Sequence, residues 1–268
     1  MPVEDALTRR PVLLVVAHPD DETVSAGGVL SRMRNPVIVT VTDGAPRDVS
    51  FAREAGYKRR EDYAAARRQE LLNAMEIAHI TERQLRSFDL ADQEAMRNLP
   101  ELTKRTIALI AELRPGTILT HPYEGGHPDH DAIAFAVHAA CALVPTPPEI
   151  VEFTSYHASP SHTDPDKAPA WEISRFLPGY ESGETIVLTK PESRRKQQML
   201  ECYGSQAAVL HRFAVGEETF RPAPVYDFTK APHPGILLYE TFGWGVDGTE
   251  FRRYIAEAMK ALHLEGAL

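Results

Sequence analysis

Short, unbroken apolar runs alternate along the chain with longer stretches of helical periodicity. Pro11–Ala17 (PVLLVVA) and Pro36–Thr42 (PVIVTVT) are continuous and β-branched, the pattern of strands covered on both faces. Gln84–Phe88 and Thr117–Thr120 (TILT) read as shorter strands of the same series. Between them, Thr23–Arg34, Arg60–Ala78, Leu99–Leu113 and Pro128–Leu143 predict helices. The first holds Gly27 and Gly28, which permit close backbone packing at a cost in helix propensity. The third stops at Pro115-Gly116. Strands alternating with helices predict an α/β fold, a mostly parallel sheet with helices on both faces. Ligands of such sheets collect at the carboxyl ends of the strands.

After about residue 145 the pattern loosens. Ile150–His157 and Thr185–Leu188 predict strands, Pro191–Tyr203 a helix ended by Gly204, and Glu250–His263 a terminal helix. Ser159–Ala170 and Gly216–Pro234, the latter with four prolines, read as loops. The expected organisation is one domain over 1–268, with a core of about 11–145 and a C-terminal elaboration of about 146–268.

Composition narrows the function. The 268 residues carry a net charge of −9, which argues against a broad nucleic-acid or anionic-membrane surface. Cys141 and Cys202 stand far apart in no metal-ligand spacing and read as free thiols, so a reducing, cytoplasmic setting fits. The apolar run Val12–Ala17 is too short for a signal h-region or a membrane span.

One pattern occurs twice. His18-Pro19-Asp20-Asp21-Glu22 follows the first strand, and His127-Pro128-Asp129-His130-Asp131 follows the TILT strand after a Gly-containing loop. A helix start alone accounts for the Pro and the acids. It leaves the histidines unaccounted for, since His is not a preferred cap. Residues three apart at a helix start share a face, so His18 can converge with Asp21 and His127 with His130. On neighbouring strand ends, two such pairs would line one polar pocket.

These two motifs, in this order, resemble the signatures of the LmbE/PIG-L family of zinc-dependent N-acetylglucosaminyl deacetylases. The resemblance is clear over residues 11–145 and extends weakly to Lys196–Gln206, where Tyr203-Gly204-Ser205-Gln206 resembles a family segment. It implies a Rossmann-like fold and one Zn2+ per chain, other divalent metals being admissible. His18, Asp21 and His130 would be the ligands, leaving a position open for water. It implies Asp20 as general base, a choice between adjacent carboxylates that the residues alone do not make. His127 would be cationic or hydrogen-bonding, stabilising the oxyanion or protonating the leaving amine. Arg67, in Arg67-x-x-Glu70-Leu71, would reach substrate, and Asp92 would contact sugar hydroxyls; a solvated Arg67–Glu70 pair and an exposed loop acid are the plain alternatives.

Other residues carry weaker signals. His121 ends the TILT strand within reach of the site, His138 reads as packed in its helix, and Asp43-Gly44 as turn chemistry. Gly125 stands where some members have a tyrosine, which leaves Tyr123 as the nearest phenol. The implied partner is a small N-acyl amino sugar or glycoconjugate, with no nucleic acid; members are often oligomeric, so a homo-oligomer is admissible. The same site would serve an amidase acting on a thiol conjugate. A non-catalytic carbohydrate- or nucleotide-binding module is the distant alternative, and the first strand lacks the Gly-x-Gly-x-x-Gly turn that a dinucleotide needs.

Overall fold

The computed structural model describes residues 2–164, 167–180 and 183–266. In chain order, α1 (Val3–Arg9), β1 (Pro11–Val16), α2 (Asp21–Ala26), β2 (Arg34–Pro46), α3 (Val49–Glu54), α4 (Arg60–Ile77) and β3 (Leu85–Asp92) come first. They are followed by α5 (Leu99–Leu113), β4 (Thr117–Thr120), α6 (Pro128–Leu143) and β5 (Glu149–Phe153). The C-terminal part adds β6 (Tyr156–Ala158), β7 (Trp171–Ile173), β8 (Glu184–Val187), α7 (Lys190–Leu200), α8 (Ala207–Leu210), β9 (Glu217–Pro222) and α9 (Gly248–Leu262).

One sheet runs β3-β2-β1-β4-β5-β9-β8. The pairs from β3 to β5 are parallel; β9 and β8 are added antiparallel. The reason β1 is apolar throughout is visible in its pleat, which points successive side chains to opposite faces. Leu13 and Val15 enter one core, with residues of α5, α6 and α9. Val12, Leu14 and Val16 enter the other, with residues of α1, α4 and α7. From β1 the chain moves outward to β2 and β3, then returns to place β4 on the other side of β1. That reversal opens a crevice at the carboxyl ends of β1 and β4, where both His-Pro-Asp motifs begin.

Several segments differ from the expected elements. The helix expected over Thr23–Arg34 is confined to α2, followed by a separate 3-10 turn at Leu30–Arg32. The backbone N–H groups of Gly28 and Val29 donate to the Glu218 carboxylate of β9, at 2.7 and 3.1 Å. A Cβ at Gly28 would lie 2.2 Å from Leu188 Cδ1, so any larger residue would have to displace the Leu188 side chain. The strand expected over Ile150–His157 divides between β5 and β6, which pairs with β7 in a separate two-stranded sheet. Gly216–Pro234, expected as loop, contains β9, whose Phe220 and Arg221 are fully buried. Of the expected loop Ser159–Ala170, residues 165 and 166 lie outside the described residues.

Cys141 is buried and Cys202 half-buried, and both are free thiols. Among the described residues no helix is long and apolar enough to cross a membrane.

Candidate metal centre and active site

The turn after β1 is built around a buried carboxylate. Glu22, fully buried, accepts the Asp20 N–H at 3.1 Å, the Thr23 hydroxyl at 2.7 Å and the Tyr203 hydroxyl at 2.5 Å. This clamp holds Asp20 at φ 138°, a backbone conformation that costs a non-glycine residue of order 1–3 kcal/mol. Asp20 precedes α2 without capping it. Its Oδ2 faces Arg67 Nη2 at 3.2 Å instead. Burial pushes the Asp20 carboxyl up to about 7, against the pull of Arg67 and with the push of Asp21.

Asp21 lies between imidazoles. Its Oδ2 accepts the His18 N–H at 2.7 Å and lies 3.3 Å from His18 Nδ1; its Oδ1 lies 3.4 Å from His130 Nε2. Burial raises its pKa, but His130 and His121 outweigh burial and hold the group ionised, well below its ordinary value. Ring nitrogens of His18, His127 and His130 fall within 4.8 Å of one another. Ligand atoms of Asp21, His121 and His130 do the same. His130 Nε2 is buried without a hydrogen-bond partner, and burial lowers the ring to a pKa of about 3, so the ring is neutral and one of its nitrogens carries a lone pair. Two imidazoles and a carboxylate, with an unpartnered nitrogen among them, suit a borderline cation such as Zn2+. His121 is less suited: its Nε2 already accepts the Ala17 N–H at 3.1 Å.

The second motif starts α6. His127 occupies the cap position, and its Nδ1 accepts the Asp129 N–H at 3.1 Å, so here histidine does act as a cap. Burial lowers the His127 ring to about 3, with His18 adding to the effect. The cationic option for His127 therefore gives way to a neutral ring. With Nδ1 accepting, the proton sits on Nε2, 3.8 Å from Asp92 Oδ1. Asp129 accepts the backbone N–H groups of Gln93 and Ala95, at 2.7 and 2.9 Å. Asp131 accepts those of Glu124 and Gly125. A Cβ at Gly126 would lie 1.9 Å from the Tyr156 carbonyl oxygen, so glycine lets β6 close over the motif.

The pocket, about 290 Å3, is lined by His18, Asp20, Asp21, Arg67, Asp92 and His127 among others, and His130 adjoins it through Asp21. All seven residues singled out in the sequence thus meet around one crevice. The alternatives for Arg67 and Asp92 fail. Arg67 is 2% exposed, and its Nη2 also donates to the Pro19 carbonyl; Glu70 turns to the Ser205 N–H and hydroxyl. Asp92 ends β3 with Oδ1 3.0 Å from His18 Nε2. Burial would lower the His18 pKa, but Asp92, Asp129 and Asp21 together raise it well above the ordinary histidine value. Gln206 lines the pocket and donates to the Tyr63 hydroxyl, tying the Tyr203–Gln206 segment to the site.

Tyr123 takes no part. Its hydroxyl donates to the Lys230 carbonyl at 2.8 Å, and its ring packs against Tyr226 and Phe228. The phenols that line the pocket are Tyr63 and Tyr156, and the Tyr156 ring lies 5.3 Å from His130. Sequence reading missed both, along with the other aromatic side chains of the wall, because they come from separate segments with no shared motif. His138 packs against Tyr226 and Phe228, and Asp43 serves its turn through the Ala45 N–H and Arg60.

Residues 13–141, which contain both motifs, match the PIG-L family, described as GlcNAc-PI de-N-acetylase. This segment is a PIG-L family domain. The chain is 32% identical over 140 residues to a Bacillus cereus protein named "Probable N-acetyl-alpha-D-glucosaminyl L-malate deacetylase 2", covering 51% of this chain and 63% of that one. It is 27% identical over 209 residues to the 1D-myo-inositol 2-acetamido-2-deoxy-alpha-D-glucopyranoside deacetylase of Rhodococcus erythropolis, covering 69% and 67%. The chain thus spans about three fifths of the first relative's length. Its fold is that of a zinc-inhibited form of teicoplanin deacetylase, with a TM-score of 0.59 at 18% identity over 81% of this chain and 100% of that one. The N,N'-diacetylchitobiose deacetylase of Pyrococcus horikoshii shares it at a TM-score of 0.53 and 16% identity, covering 80% and 84%.

Proposed function

We propose that this PIG-L chain is a zinc-dependent hydrolase that removes the N-acetyl, or another N-acyl, group from an amino sugar or glycoconjugate. The observation that carries the reading is the Asp21 carboxylate lying between His18 and His130, with Asp20 beside it on a strained turn. His18, Asp21 and His130 would hold the metal. The bound ion would supply a Lewis acid that makes water nucleophilic near neutral pH. The names of the relatives, deacetylases of N-acetylglucosaminyl and acetamido-glucopyranoside compounds, support the substrate class.

The chain's own residues divide the remaining work. Asp20, with a pKa near 7, takes the proton of the attacking water on a carboxylate oxygen. Arg67 steadies that carboxylate. His127 presents Nε2–H to the carbonyl oxygen as negative charge develops there. Asp92 fixes the His18 ring by binding its outer nitrogen, a common support for a ligating imidazole. Asp92 also lines the pocket, where it would contact sugar hydroxyls.

Metal analysis joined to an assay of amine release from a panel of N-acyl amino sugars tests the reading. One zinc per chain, equal yields of amine and carboxylate, and loss of turnover on chelation with recovery on zinc are expected. A chain without metal after zinc loading, or a His130→Ala variant with full metal content, would overturn it.

A further inference from the structure

Above the polar floor, the pocket wall is aromatic. Phe51 of α3, Trp244 and Phe242 before α9, Trp171 of β7, Tyr156 of β6 and Phe213 after α8 all line it. Their rings touch in sequence around the mouth. Centroid separations are 6.3 Å for Phe51–Trp244, 4.6 Å for Trp244–Phe242 and 5.7 Å for Phe242–Trp171. They are 5.1 Å for Trp171–Tyr156 and 6.2 Å for Tyr156–Phe213. The belt meets the floor twice, with Trp244 5.0 Å from His127 and Tyr156 5.3 Å from His130.

Such a belt has a cost in water. All of these rings except Phe213 remain partly open to solvent, and a contiguous apolar surface of this kind marks a binding site. The charge inside the pocket narrows what it binds. The cationic lining groups are already engaged: Arg67 is tied to Asp20 and the Pro19 carbonyl, and the His18 ring lies between Asp21 and Asp92. Asp20, Asp21 and Asp92 face the same space. A dicarboxylate such as malate would meet three acids there, whose neighbouring cationic side chains, Arg67 and His18, are already paired with Asp20 and Asp92. Arg212 stacks on Trp171 at 4.9 Å but is not among the lining residues.

We propose that the belt is a subsite for an apolar group carried by the amino sugar, either on its anomeric oxygen or as the acyl chain. The substrate preferred by this chain is then an N-acyl amino sugar with an aromatic or alkyl substituent, over one with an anionic aglycone. This inference rests on the deacetylase reading, yet its test does not need turnover. The sequence contains two tryptophans, Trp171 and Trp244, and both are in the belt, so intrinsic fluorescence reports on the subsite.

The experiment titrates the full chain carrying Asp20→Asn, loaded with zinc, and follows tryptophan fluorescence. The probes are octyl N-acetylglucosaminide, N-octanoylglucosamine, N-acetylglucosamine and N-acetylglucosaminyl malate. At least one octyl compound binds with a Kd ten or more times lower than N-acetylglucosamine, and the malate compound shows no such gain; which one binds tighter identifies the position of the apolar group. Phe242→Ala, added to this background, raises the Kd of the octyl compound at least fivefold and that of N-acetylglucosamine less than twofold, while Phe242→Tyr restores the parent values. Equal Kd values for all four probes, or tightest binding of the malate compound, would overturn the subsite. The wild-type chain is then given the same probes. If it releases no amine from any of them while the order of Kd values holds, the deacetylase reading fails and the subsite stands. If it releases amine with equal kcat/KM from all, the subsite fails and the deacetylase stands.

Discussion

In the first His-Pro-Asp copy, Asp20 sits at φ 138° with its carboxylate lining the pocket; in the second, Asp129 sits in the regular first turn of α6, fully buried beneath the loop after β3. Asp20 meets a guanidinium, while Asp129 receives two backbone N–H groups. The histidines diverge as well. His18 has a carboxylate at each ring nitrogen, whereas His127 is neutral and spends one nitrogen on the Asp129 N–H. The same three residues thus serve a reacting centre in one copy and a rigid frame plus a proton donor in the other. What separates them is the backbone: the Glu22 clamp forces a kink after His18, and α6 starts without one.

Exchanging roles between the copies should fail, most severely at the histidines. His18→Ala is expected to lose the metal and bring turnover to background, while His127→Ala keeps about one metal per chain and loses about 10²–10³ in kcat. Metal content measured beside kcat decides this, and equal metal loss in both variants would erase the distinction. Next comes the acid of each copy. Asp20→Asn is expected to lower kcat by about 10²–10⁴ with the melting temperature unchanged or raised, because a buried charge is removed. Asp129→Ala should instead destabilise by about 2–3 kcal/mol through two unpaired buried N–H groups, a loss read by denaturant unfolding. A stable Asp129→Ala chain would show that Asp129 is not the frame.

The smallest effect concerns the loop leading into the second copy. Burial raises Glu124 from 4.5 to about 8, against the Leu177 N–H and Arg221 and with the push of Glu152. Its folded pKa lies above the unfolded one, so its neutral form contributes stability that is full below about pH 4.5 and lost as pH rises through about 8. Stability should therefore fall over that window. Glu124→Gln should flatten the slope, as followed by urea unfolding at a series of pH values, and an unchanged slope would exclude Glu124 as its source.

Much of the floor was legible in the chain. β4, α5 and α6 have the expected bounds, because a continuous apolar run, a Pro-Gly stop and a Pro at the first helical position are local signals. The doubled motif pointed to His18, Asp21 and His130 because a three-residue step at a helix start is also local. The strand in Gly216–Pro234 was not legible: β9 is a strand because Phe220 and Arg221 find partners on β5 and beneath it, while its prolines read as loop. Arg67 looked like half of an i,i+3 pair until the packing gave Glu70 to Ser205.

The sequence by itself determined the parallel half of the sheet, the strand ends that bear the site, and the residue types able to hold a cation. Those follow from patterns only a few residues long, each set by pleat, helix pitch or cap chemistry. Tertiary structure alone decided which copy of the motif turns its middle aspartate to the pocket, which nitrogen of His127 carries the proton, and that Tyr156 lines the site while Tyr123 does not. It also assembled an aromatic wall from residues 51 to 244. These features depend on contacts between segments far apart in the chain, and burial and hydrogen-bond competition choose among local conformations that the sequence leaves equally open.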